Sequence, residues 1–170
     1  MDDANAHPPE SRPPTIADLV LLGRSLNAEN ARYLVVGGFA INQHGFARAT
    51  MDINLLLDGS LENQAKVKRA LEALPDKAVR ELGDDDLRDF VVTRVCDEVV
   101  VDLMIVACGV TFAEAEPEIQ RFDIEGVSIP FASPKLRLKT KQTFREKDAA
   151  DRFFLERKIA GLPLQDEDWP

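Results

Sequence analysis

Three side chains and a glycine pair carry the chemistry that this sequence suggests. Asp52 and Asn54 stand one residue apart in the run Arg48-Ala49-Thr50-Met51-Asp52-Ile53-Asn54-Leu55-Leu56-Leu57. In a strand, the two-residue period turns both side chains to one face, about 6.5 to 7 Å apart along the chain. Two oxygen donors at that spacing are able to share a pair of metal ions. A further acid, Asp102, interrupts the otherwise apolar Val99-Val100-Val101-Asp102-Leu103-Met104-Ile105. An acid inside a core strand is expensive unless it is paired or metal-bound, so Asp102 needs a partner, either a cation or one of Arg94 and Arg48. Upstream, Leu34-Val35-Val36-Gly37-Gly38-Phe39-Ala40 reads as a strand that meets a glycine pair and a helix start. Free backbone N–H groups and the helix dipole favour a phosphate there, although a glycine pair by itself also suits a plain turn.

The elements that must position these residues follow from periodicity and capping. Residues 1–14 hold Pro8, Pro9, Pro13 and Pro14 without apolar periodicity and read as a disordered tail. Thr15 with Asp18 opens a helix that runs to about Asn27. Tyr33 to Val36 is a buried strand, Phe39 to His44 a short helix, and Met51 to Leu57 the next strand. Ser60 caps a helix that stops at Pro75. Lys77 to Leu82, Asp89 to Val95 and Val99 to Val106 supply two or three strands. Thr111 and Glu114 cap a short helix, and Phe122 to Phe131 is an extended excursion around Gly126. Ser133-Pro134 then opens a helical tail to about Ala160, against the strand-like alternation of Lys135-Leu136-Arg137-Leu138-Lys139. The expected fold is a mixed α/β (α+β) domain over residues 15–132, with a short twisted sheet, helices on one side, and a helical C-terminal segment, 133–170, that closes over a cleft.

Composition narrows the function classes. The chain has 170 residues, 45% hydrophobic and 30% charged, which suits one core-forming domain. Its formal charge of −9 disfavours a surface that coats nucleic acid. Between Ser133 and Ala160, however, nine basic residues face four acidic ones, which is either an anion site or a solvated helix face. No apolar run approaches the roughly 18 to 20 residues of a membrane span, and Met1-Asp2-Asp3 lacks the basic flank of a signal peptide. Cys96 and Cys108 show neither disulfide nor zinc spacing, so a reducing cytoplasm with both thiols buried or idle is expected. His44 reads as a surface residue at a helix end, and Phe144, Phe153 and Phe154 read as core.

In their order along the chain these motifs resemble the nucleotidyltransferase superfamily, in particular small bacterial nucleotidyltransferases of the AbiEii toxin type. The matching elements are Gly37-Gly38, then Arg48-Ala49-Thr50-Met51-Asp52-Ile53-Asn54, then Asp102, and finally Arg145-Glu146-Lys147-Asp148-Ala149-Ala150-Asp151. The resemblance spans roughly Leu34 to Leu155. It implies that Gly37 and Gly38 cradle the triphosphate of an NTP, that Asp52, Asn54 and Asp102 hold Mg²⁺ or Mn²⁺, and that Asp102 helps activate an incoming hydroxyl. Arg48, Thr50, Lys139, Lys141 and Arg145 would complete the nucleotide site. The implied chemistry is two-metal transfer of a nucleoside monophosphate to a hydroxyl of a protein, RNA or small molecule.

One position departs from the pattern. Asn54 stands where the family has its second aspartate, and a site reduced to two formal negative charges should hold a metal pair more weakly. Asp58 shares the strand face by parity but falls at the strand end, which makes it a poor substitute. Two functions therefore stand side by side: a metal-dependent transferase, and a catalytically weakened member that binds a nucleotide or a cognate toxin or antitoxin protein as a regulatory component.

Overall fold

The computed structural model of the chain describes residues 10–140 and 146–163. Its helices are α1 (Ile16–Ala28), α2 (Gly37–Gln43), α3 (Leu61–Leu71), α4 (Asp86–Asp89), α5 (Phe112–Ala115), α6 (Pro134–Lys139) and α7 (Glu146–Ala160). Its strands are β1 (Tyr33–Val36), β2 (Asp52–Leu57), β3 (Thr93–Cys96), β4 (Val100–Met104), β5 (Val106–Ala107), β6 (Val110–Thr111), β7 (Ile119–Ile124) and β8 (Val127–Ala132). Among these residues no helix is long and apolar enough to cross a membrane.

Six strands form one mixed sheet in the order β3-β4-β2-β1-β8-β7, and β5 and β6 form a separate ribbon. β2 runs parallel to β4 and β1 parallel to β8, while β1–β2, β3–β4 and β7–β8 are antiparallel. All of β1 is buried, as its run of Tyr and β-branched or aliphatic residues requires. In β2, Ile53, Leu55, Leu56 and Leu57 are buried, whereas Asp52 and Asn54 are only partly covered. The alternation at the start of β2 thus opens one face of the sheet at the two polar residues.

The main core joins α1, α3 and the sheet, with α1 packed on α3 and β8. The Asp18 carboxylate accepts the Thr15 backbone N–H at 2.7 Å and so closes the expected cap of α1. The same carboxylate pairs with Arg12, and Ser11 Oγ donates to the Asp97 carbonyl at 2.6 Å. Within the expected tail, residues 1–9 lie outside the described residues, and residues 11 and 12 are fastened to the turn between β3 and β4.

A second, smaller cluster consists of Ile41, Phe154 and Leu155, with Phe46 and Leu138 packed against it. It ties α2, α6 and α7 together and brings the C-terminal helices over the polar end of β2. The Ser133 hydroxyl accepts the Leu136 N–H at 3.2 Å, and Pro134 occupies the first turn, so capping overrides the strand-like alternation of Lys135 to Lys139.

Local expectations differ from the structure in several places, and the strand expected over Asp89 to Val95 begins only at Thr93, after α4. Lys77 to Leu82 is not a strand but contains a 3₁₀ turn, Ala78–Glu81. The buried Asp97 carboxylate accepts the N–H groups of Asp76 and Ala78 at 3.0 and 2.9 Å, and this bends the segment away from the sheet. The excursion around Gly126 is a regular hairpin, in which Glu125 and Gly126 take φ of 51° and 80°, the positive pair that a two-residue turn needs. His44 is buried rather than superficial, its Nε2 2.7 Å from the Ala132 carbonyl oxygen and its ring edge-on to Phe122.

Candidate nucleotide site

The register of three strands builds the polar end of the sheet. Asn54 of β2 lies beside Asp102 of β4, and Asp102 lies opposite Arg94 of β3. All three side chains therefore project from one row, with Asp52 two residues along the same face of β2. Arg94 grips Asp102 as a fork, its Nε 2.8 Å from Oδ1 and its Nη2 2.9 Å from Oδ2. Nη2 also reaches Asp52 Oδ2 at 3.4 Å. The Asn54 amide nitrogen donates to Asp52 Oδ1 at 2.8 Å. Asp102 is 4% exposed, and its hydrogen bonds raise the pKa of the Arg94 guanidinium well above its ordinary value. The acid inside the apolar strand thus has the arginine partner that its burial demands.

The glycine pair meets this row edge-on. Gly37 has φ of 73°, and a Cβ on it would overlap the Asn54 side chain. A Cβ on Gly38 would overlap Thr50 Cγ2. Both glycines are therefore dictated by close packing of α2 on β2 and its approach loop. That loop is held by Asn42, whose amide exchanges two 3.0 Å hydrogen bonds with the backbone of Arg48. The Arg48 guanidinium in turn forms an ion pair with Asp151 of α7, which is fully buried.

Between these walls lies a cavity of about 860 Å³, large enough for a nucleoside triphosphate. Gly37, Gly38, Arg48, Thr50, Asp52, Asn54 and Asp102 line it, so the structure brings together all the sequence-predicted site residues of the first hundred or so positions. Lys139 does not line it. Arg137, two residues earlier on α6 and so on nearly the opposite side of the helix, does. Lys141 and Arg145 lie outside the described residues, as does the start of the C-terminal motif. Asp58 faces elsewhere: it pairs with Arg32 at 3.0 Å, and the Ser60 N–H holds its carboxyl below the usual range. Both cysteines are exposed rather than buried, and Cys108 lies on the cavity wall.

Sequence reasoning named Arg94 only as one of two partners for Asp102, and it left out Arg137 and the pairing of Asp151 with Arg48. The acid in β4 signalled that a cation was needed. Nothing local distinguished Arg94 from Arg48, because that choice depends on strand register.

The donor set does not fit a pair of divalent cations. Among the described residues no group of three or more His, Cys, Asp or Glu side chains is placed to hold a metal ion. Arg94 covers both oxygens of Asp102, and Asn54 turns a donor rather than a lone pair toward Asp52. Reversing that amide would set two acceptor oxygens against each other.

No family model matches the chain, and no curated protein matches it. Among solved structures it is similar to a Thermotoga maritima protein described as a proposed nucleotidyltransferase, with a TM-score of 0.52 and 16% identity over 86% of this chain and 92% of that one. The likeness is one of fold: a mixed sheet flanked by helices, of nucleotidyltransferase-like form.

Proposed function

We propose that this chain is a nucleotide-binding protein on a nucleotidyltransferase-like fold, acting as a regulatory component, and that the cavity between β2 and the C-terminal helices is its nucleotide site. The observation that carries the reading is the convergence of Arg48, Arg94 and Arg137, from a loop, the sheet edge and α6, on one cavity of nucleotide size. Guanidinium groups suit phosphate oxygens because their planar donors match that geometry. Arg94 keeps one edge on Asp102, and among the described residues its Nη1 makes no hydrogen bond. The order of Gly37-Gly38, Asp52-Ile53-Asn54 and Asp102 along the sequence supports the same assignment.

A second reading, transfer of a nucleoside monophosphate from an NTP to a hydroxyl acceptor with Mg²⁺, is favoured by the position of Asp52 and Asp102 on neighbouring parallel strands and one face. Asn54 and the Arg94 fork count against it. Both readings are separated by thermal unfolding with each NTP, in Mg²⁺ and in EDTA, on the natural chain and on Asn54→Asp. A ligand at a hundred times its Kd stabilises the folded state by about 2.7 kcal/mol, roughly 5 to 10 °C at this chain length. That shift is expected for the natural chain. No shift with any NTP, with or without Mg²⁺, contradicts nucleotide binding. Formation of a transferred product on a hydroxyl acceptor only with Mg²⁺, and faster in Asn54→Asp, would favour the transferase.

A further inference from the structure

We infer that Arg94 takes the place of a divalent cation in this site, so that Asp52 and Asp102 refuse Mg²⁺ and Mn²⁺ and the cavity binds the polyphosphate of a nucleotide without metal. The nucleotide half of this statement rests on the proposed function; the exclusion of metal does not.

Cross-strand pairing sets Arg94 directly opposite Asp102, so the guanidinium reaches its carboxylate without leaving the row of the sheet. The fork uses Nε and Nη2, satisfies both Asp102 oxygens at 2.8 and 2.9 Å, and extends to Asp52 at 3.4 Å. One fixed positive charge therefore spans the two carboxylates that a bridging metal would need. Mg²⁺ demands near-ideal octahedral oxygen ligation and gives up its waters reluctantly. Here it would have to displace a bidentate, charge-assisted pair to gain two carboxylates and a neutral amide.

Asn54 makes the same point from the other side. A third carboxylate at that position would repel Asp52 and demand a further cation, whereas the amide donates to Asp52 at 2.8 Å and needs none. Asn54 and Arg94 thus act in the same direction: one brings no negative charge, and the other neutralises part of what the two carboxylates bring. The Arg94 side chain is 56% exposed and lines the cavity, so it is open to a phosphate bound there. It joins carboxylate to phosphate, the bridging role that a metal otherwise has.

The test is a Mn²⁺ titration followed by electron paramagnetic resonance on the full chain and on Arg94→Gln, together with ATP titrations by calorimetry in EDTA and in Mg²⁺. The natural chain is expected to leave Mn²⁺ free, and Arg94→Gln to bind it with a Kd at least roughly tenfold lower, since removal of one like charge at close range is worth that factor. The natural chain should bind ATP at least as tightly in EDTA as in Mg²⁺, because Mg²⁺ neutralises charge on the free nucleotide and supplies nothing that the site's arginines require. Mn²⁺ bound as tightly by the natural chain as by Arg94→Gln, or ATP bound only when Mg²⁺ is present, overturns the inference. If no nucleotide binds in either condition, the proposed function fails and the Mn²⁺ titration alone decides on metal exclusion. Should Arg94→Gln not fold, the natural chain still decides, because Mn²⁺ bound there at Asp52 and Asp102, and lost in Asp52→Asn, contradicts exclusion.

Discussion

Two arginine–aspartate pairs line the same cavity and do different work. Arg48 and Asp151 join the loop before β2 to α7, with side chains 20% and 1% exposed; Arg94 and Asp102 join β3 to β4, with side chains 56% and 6% exposed. In the first pair the acid is fully buried and the arginine largely so, and loss of the acid leaves a mostly covered guanidinium without that carboxylate. In the second only the acid is buried, and its arginine stays open to solvent on the cavity wall. The same two residue types therefore make a buried clamp in one place and a solvent-open cation in the other, and what separates them is the exposure of the arginine. The clamp rests on the small cluster of Ile41, Phe154 and Leu155, whereas the Arg94 pair rests on the edge of the main sheet.

The largest expected effect is on the support of the clamp. Phe154→Ala should cost about 4 kcal/mol, because Phe154 is fully buried in a cluster too small to collapse around the void. Urea unfolding measures it, and a cost below about 1 kcal/mol would mean that α7 does not depend on this cluster. Next, Asp151→Asn should cost about 3 kcal/mol and Asp102→Asn only about 1 to 2 kcal/mol, since Arg94, the more exposed of the two arginines, rehydrates more fully when released. Equal losses in the two variants would break the contrast between the pairs.

A smaller effect concerns the glycine pair between them. Gly38→Ala should cost about 1 to 3 kcal/mol through its overlap with Thr50 Cγ2, and Thr50→Ser, which removes that methyl, should restore most of it. A double-mutant cycle with no coupling would mean that Gly38 serves something other than packing.

The smallest is the pH dependence of His44. Burial holds its imidazole below the ordinary value of 6.5, outweighing the hydrogen bond to the Ala132 carbonyl. The folded chain resists a proton that the unfolded chain accepts, so this contribution is complete above the unfolded pKa and is lost as pH falls below it. His44→Gln should flatten the decline in stability between about pH 7 and 5, and an unchanged slope would show that other groups set it.

How much of this was legible in the sequence varies with how local the cause is. The caps at Thr15, Ser60, Thr111 and Ser133 were readable because each depends on residues within one helical turn. Asp52 and Asn54 were readable from strand parity, and Asp102 from the cost of an acid in an apolar run. The turn at Ala78–Glu81 was not, because Asp97 makes it from the far side of β3. The choice of Arg94 over Arg48 was not either, since it follows from the pairing of β3 with β4. Residue type does not separate Lys139 from Arg137, since both are basic, and only the rotation of α6 decides which one lines the cavity. The motifs of the first hundred or so positions thus meet at one cavity, and long-range register determines how its charges pair.

The most direct test of that account is the arginine Nε–Hε correlation spectrum of the full chain during an ATP titration in EDTA. The account predicts that the Arg94 resonance, assigned by its loss in Arg94→Gln, moves to saturation without metal. An Arg94 resonance that stays fixed in EDTA and moves only when Mg²⁺ is added would contradict it.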